Sequence, residues 1–134
     1  MQNFLVKKHS KKEFYDTFIK WSDMHKFPRV NELVLPENVF VCYNEDDEAV
    51  YSCWFYFTDS KLAWIAFPMS NKEVAYNKRD KGLDFLFKHI IKYAKSKKMH
   101  SIITTSATKE VVNSMSRVGF VEADLNVNQY LKVI

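Results

Sequence analysis

The amino-acid sequence predicts an α/β (α+β) fold: a mixed, mostly antiparallel central sheet with helices on both faces. Three observations point there. Three β-type runs, Val39–Tyr43, Ala49–Phe57 and Leu62–Phe67, follow one another across turn clusters, which gives consecutive antiparallel strands. From about Lys81 onward, helical and extended patterns alternate, as strand–helix–strand units do. The middle run is dense in aromatics and lacks polar alternation, the pattern of a central strand covered on both faces. The expected order is β-α-β-β-β-α-β-α-β. No repeat or linker interrupts it, so residues 1–134 read as one domain.

Each element has a local reason. Asn3–Lys8 is a short β-type run. Ser10-Lys11-Lys12-Glu13 forms a capping box, with Ser10 as N-cap and Glu13 reaching back. The helix it opens carries Phe14, Phe18, Trp21 and His25 on one stripe and should stop near Phe27, because Pro28 bars its predecessor from helical geometry. Glu32–Leu35 fits either a short helix or an extended piece. Asn44–Asp47 and Thr58–Lys61 are turns, and Pro68 should end the third run. Met69–Asp80 is polar and irregular. A long helix, about Lys81–Lys98, buries Leu83, Leu86, Phe87, Ile90 and Ala94, and its closing lysines complement the negative helix end. Ser101–Thr105 is extended. Thr108 caps a shorter helix bearing Val111, Val112, Met115 and Val118, which Gly119 ends as a left-handed residue. Residues 120–134 should hold one or two closing strands, Gln129–Ile134 being the clearer.

Composition excludes several chemistries. The chain has two glycines in 134 residues, where average usage of about 7% gives roughly nine. No G-x-G-x-x-G or G-x-x-x-x-G-K-S/T phosphate loop is present. The balance of 20 basic against 16 acidic residues is only mildly basic, and the charge is spread rather than concentrated. That argues against nucleic acid as a partner, although Lys72–Lys98 is denser. Cys42 and Cys53 form no metal spacing or disulfide framework. Cys53 lies in an apolar run and reads as a structural thiol rather than a nucleophile. His9, His25, His89 and His100 are scattered, so no metal is expected. No stretch of about 18 apolar residues spans a membrane, and Met1–Lys8 lacks a signal-peptide core. A reducing, cytoplasmic compartment is therefore expected.

The residues with chemical promise sit where the long helix begins, at Arg79-Asp80-Lys81-Gly82-Leu83-Asp84. Unpaired N–H groups and the helix dipole favour an anion there. Gly82 has no Cβ, which leaves room for close approach to its backbone. Lys78, Arg79 and Lys81 add positive charge. These features imply an anion, a diphosphate included.

The same residues resemble the R/Q-x-x-G-x-G/A loop of the GNAT family of acyl-CoA-dependent N-acyltransferases. In element order the resemblance covers nearly the whole chain. A second segment, Thr108–Phe120, resembles that family's N-x-x-A/S-x-x-x-Y helix with its closing G-F, here Gly119-Phe120. The resemblance implies acetyl-CoA as co-substrate, with no metal, and an amine acceptor, small molecule or protein. It implies that Ala66 and Phe67 pair with the pantetheine arm where two strands splay. It assigns the pyrophosphate to Lys78, Arg79, Asp80, Lys81, Gly82 and Leu83. Two positions depart from the pattern. Asp84 replaces a small residue, and Met115 stands where the family's general-acid tyrosine would. Met cannot donate a proton, so Ser114 and Ser116 are the neighbouring candidates. For the base, Glu73 and Tyr76 lie near the end of the third run, with Ser70 and Glu32 behind them. The expected function is transfer of an acetyl or similar group to an amine. The alternative is a catalytically inactive GNAT-like binding or assembly protein, of the kind bacteriophage genomes carry. Self-association stays open under both.

Overall fold

The computed structural model describes residues 3–106, 108–124 and 127–134. Five strands lie side by side in chain order: β1 (Leu5–Ser10), β2 (Asn38–Tyr43), β3 (Ala49–Phe57), β4 (Leu62–Ser70) and β5 (Ser101–Thr104). The first three pairings are antiparallel and the fourth, β4 with β5, is parallel. Strand period two sends alternate side chains of β2 to opposite faces. Val39 and Val41 join one buried cluster, while Phe40 and Cys42 join the other.

Helix α1 (Lys11–Met24) covers the first face. Its capping box forms as the sequence implies: the Glu13 N–H donates to Ser10 Oγ at 3.2 Å, and the Ser10 N–H donates to Glu13 Oε1 at 2.9 Å. Phe14, Phe18 and Trp21 are buried, and Phe18 meets the Trp54 ring edge-on at 5.3 Å. The helix stops three residues before Phe27. Lys26 turns left-handed (φ 58°), and the Lys26 and Phe27 N–H groups fold back onto Asp23 and Ser22 carbonyls. Pro28 follows an end that is already made.

Helices α2 (Tyr76–Arg79), α3 (Gly82–Ser96) and α4 (Lys109–Arg117) follow β4 and β5. The predicted apolar face of α3, from Leu83 to Ala94, is buried against the second face of the sheet. Val111 and Met115 of α4 enter the same cluster, while Val112 stays exposed. Gly119 closes α4 with φ 102°, so its conformation is one that a side chain would strain. Glu32–Val34 is a single 3-10 turn. The central run Ala49–Phe57 is β3 to the residue and is buried over most of its length.

Two expectations are corrected. Pro68 does not end the third run; β4 continues to Ser70. The other concerns the closing strands. Among the described residues no strand follows α4, and Val121, Tyr130, Leu131 and Val133 are exposed. Their β propensity is a preference for a pleated, half-buried surface, and it produces a strand only where a neighbouring edge receives it.

Both caps and core can be checked by urea denaturation. Ser10→Ala should lower stability by about 1 kcal/mol through loss of the cap. Phe18→Ala should cost about 3–5 kcal/mol, because its ring is fully buried and leaves a cavity.

Candidate functional site

The site begins with a fork in the sheet. β4 and β5 pair from Leu62 with Ser101 to Ile65 with Thr104, and no further. Against β3, the register passes from Trp54–Ala66 to Ser52–Met69. Phe67 and Pro68 therefore stand opposite Cys53 alone, a two-against-one bulge that bends the strand. Phe67 has φ 53°, an uncommon conformation for a bulky residue. Proline is tolerated at such a position because no ladder bond is required of it. Past the bulge, residues 66–70 of β4 have no strand on the β5 side among the described residues. At the last rung the Thr104 hydroxyl is buried without a hydrogen-bond partner.

A cavity of about 70 Å³ lies past the fork, where Pro68, Met69 and Ser70 face Leu83 of α3 and Glu110 of α4. His25 and Phe27, from the end of α1, close one side. The His25 ring stacks on Phe27 at 5.1 Å. Its Nε2 lies 2.9 Å from the Ser70 carbonyl and 3.1 Å from Ser70 Oγ. A carbonyl only accepts, so Nε2 carries the proton and Nδ1 is the basic nitrogen.

At the head of α3, Gly82 packs closely against two side chains. A Cβ there would meet Phe4 at 3.0 Å and Tyr51 at 3.1 Å, so two aromatic rings fill the space the sequence reading reserved for a ligand. Asp84 does not face an anion site. It accepts from Arg117 at 2.8 and 2.9 Å and from the buried Ser114 hydroxyl. Burial pushes its carboxyl up, but the Arg117 and Ser114 hydrogen bonds outweigh this and hold it below its usual range. The aspartate thus ties α3 to α4.

Arg79 is nearly buried and turns inward. Its Nε donates to the Val74 carbonyl at 3.2 Å, and its Nη1 lies 3.6 Å from Glu110 and 3.4 Å from the Tyr51 hydroxyl. The Tyr51 hydroxyl in turn donates to Glu110. Burial, then the Glu110 hydrogen bond, push the Tyr51 phenol up, so it remains a donor at neutral pH.

The remaining predicted residues are dispersed. Lys78 pairs with Asp46 at 3.5 Å, and Lys81 is an exposed left-handed N-cap with φ 71°. The exposed Tyr76 donates to Asp80 at 3.2 Å, and Arg79 lies over its ring at 5.3 Å. Glu73 pairs with Lys20 on α1 at 3.1 Å. Ser114 is engaged by Asp84, while Ser116 is exposed beyond it. Met115 is a core residue. Ala66 is half-buried at the fork and Phe67 is partly exposed. Tyr76, Arg79 and Asp80 are thus brought together, whereas Glu73 and Ser114 have partners elsewhere and Ser116 is exposed. Sequence reasoning missed Tyr51 and Glu110 because they are 59 positions apart. It placed His25 on the stripe of the first helix and weighed it as a metal ligand, and no spacing in the sequence brings it to Ser70. Burial pushes the Cys42 thiol up to about 12 and raises the Cys53 thiol as well, so neither is a nucleophile at neutral pH. Among the described residues no group of His, Cys, Asp and Glu side chains is arranged to hold a metal. Among the described residues no helix is long and apolar enough to cross a membrane.

Antiparallel strands leading into one parallel pair that forks beside a long helix define the GNAT-type acetyltransferase fold. Solved structures bear this out over nearly the whole chain. An aminoglycoside acetyltransferase from an uncultured soil metagenomic sample superposes with a TM-score of 0.71 at 10% identity, covering 98% of this chain and 97% of that one. A putative acetyl transferase from Pyrococcus furiosus gives 0.67 at 15% identity, covering 96% and 100%. Glucosamine-6-phosphate N-acetyltransferase from Arabidopsis thaliana gives 0.65 at 11%, covering 97% and 99%. No family sequence model matches the chain, and no curated protein matches it by sequence. The likeness is one of fold.

Two substitutions examine this geometry. Gly82→Ala should destabilise by about 1–2 kcal/mol in urea, since overpacking against two rings exceeds the helix-propensity gain. Asp84→Asn should lower the melting temperature at pH 7. Asp84 is depressed when folded, so its contribution is present above the ordinary carboxylate range and fades as pH falls through the folded value. The gap between variant and parent should therefore close in acid; a gap that stays constant would contradict the assignment.

Proposed function

We propose that the chain is an acyl-CoA-dependent N-acyltransferase, moving an acetyl or similar group to an amine. The observation that carries this is the fork: a bulged β4 whose residues Ala66–Ser70 leave β5 beside the start of α3, with Arg79 next to it. A backbone edge of that kind offers hydrogen bonds to an extended amide arm, and the unsatisfied Thr104 hydroxyl adds a polar group at the fork. His25 and Ser70 then stand on the side from which an acceptor amine approaches, with His25 Nδ1 free to take a proton. Amino sugars are the first acceptors to try, since one neighbour acetylates an aminoglycoside and another glucosamine-6-phosphate.

The closed arrangement does not itself fit acyl-CoA. Its cavity of about 70 Å³ is well below the roughly 300–1,000 Å³ of small-molecule sites. Gly82 faces two rings, and Arg79 is engaged by Glu110. A second reading, a GNAT-like protein that binds or assembles without chemistry, draws support from these contacts and from Met115 being core.

Calorimetry and thermal shift with acetyl-CoA separate the two. Binding that raises the melting temperature supports the transferase. Absence of binding at millimolar acetyl-CoA, together with self-association or a stable co-purifying partner, supports the second reading.

A further inference from the structure

The first turn of α4 is tied to the site by one acidic side chain. Glu110 lies 3.6 Å from Arg79 Nη1 and accepts the Tyr51 hydroxyl. The Arg79 side chain is only 15% exposed, and a buried cation without a counter-charge is strongly unfavourable. Glu110 supplies that counter-charge.

The two partners are held very differently. Arg79 has partners besides Glu110: its Nε donates to the Val74 carbonyl, and its guanidinium lies over the Tyr76 and Tyr51 rings at 5.3 and 5.8 Å. Glu110 is 42% exposed and reaches in from the end of a nine-residue helix. The Thr108 hydroxyl makes no capping hydrogen bond to the helix and pairs instead with Ser106 at 3.3 Å. One turn further on, Ser114 and Arg117 grip Asp84, an anchor independent of Glu110. Glu110 also lines the cavity together with Tyr51 and Leu83, so its departure opens that cavity toward Arg79.

We propose that Glu110 is an internal anion occupying the Arg79 site, and that a phosphate-bearing ligand displaces it, the half-exposed Glu110 side chain swinging out to solvent while buried Val111 and the Asp84–Ser114–Arg117 anchor hold α4 in place. A phosphate or diphosphate has the advantage in this exchange. It carries more charge than a carboxylate and presents oxygens that match the guanidinium fork. The same contact that shuts the cavity thus sets the threshold for an anionic ligand. The identification of that ligand as acyl-CoA rests on the function proposed above; the exchange of anions does not.

Calorimetry with inorganic pyrophosphate and, separately, with CoA tests this on the full chain and on E110Q, E110A and Y51F. E110Q and E110A should bind pyrophosphate about tenfold or more tightly than the parent, a typical coupling between linked sites. Y51F, which removes one hydrogen bond to Glu110, should show a smaller gain. Adding R79M to E110Q should remove the gain. If the Glu110 variants do not fold, Y51F carries the test alone, and no gain in Y51F overturns the proposal. Equal or weaker pyrophosphate binding by folded E110Q overturns it as well. A pyrophosphate gain without any CoA binding upholds the exchange and rejects the acyl-CoA reading. CoA binding that is the same in parent and E110Q upholds the acyl-CoA reading and rejects the exchange.

Discussion

The bulge at Phe67 and Pro68 is the constraint on which the rest depends. A bulky residue at φ 53° carries roughly 1–3 kcal/mol of backbone strain, and the surrounding packing must hold it there. Trp54 and Cys53, both fully buried in β3, flank the bulge across the ladder, and the Phe18 ring lies 6.3 Å from Phe67. Without the extra residue, β4 would run straight and nothing would separate it from β5. With it, the strands part after four rungs, and the end of α1, the head of α3 and the start of α4 converge on the gap.

The gap is bridged by charge as well as by apolar contact. Two carboxylates span from α3 and β3 to α4: Asp84 holds Ser114 and Arg117, and Glu110 holds Arg79 and Tyr51. They are not equivalent. Asp84 lies on the inner turn of α3 with a two-pronged guanidinium grip, while Glu110 is a half-exposed side chain on a helix end. Ionic contacts of this kind exchange for other ionic contacts at low net cost, whereas the apolar contacts of Val111 and Met115 do not. That contrast keeps α4 in place while the Glu110 side chain is releasable.

Much of the architecture was legible along the chain. The capping box at Ser10, the aromatic stripe of α1, the buried face of α3 and the C-terminal stop at Gly119 are local patterns, and each appears where its spacing puts it. The two-sided burial of β3 followed from its lack of alternation. Misreadings arose wherever a local signal was overruled from a distance. Pro68 reads as a strand terminator, but the register with β3 makes it a bulge residue. Gly82 reads as room for a ligand, but Phe4 and Tyr51, from remote positions, take that room. Asp84 reads as a fault in a phosphate loop, but Arg117, 33 positions on, makes it a clamp.

By itself the sequence determined the three longer helices and their buried faces, the capping box at Ser10, the antiparallel run of strands and so the fold class, because these arise from residue periodicity and short-range hydrogen bonds. Only the tertiary structure decided which side chains meet at the fork. Tyr51, Arg79 and Glu110 lie on three separate elements, as His25 and Ser70 lie on two. Their convergence follows from strand order and from a single bulge, which act over distances that no window of neighbouring residues contains.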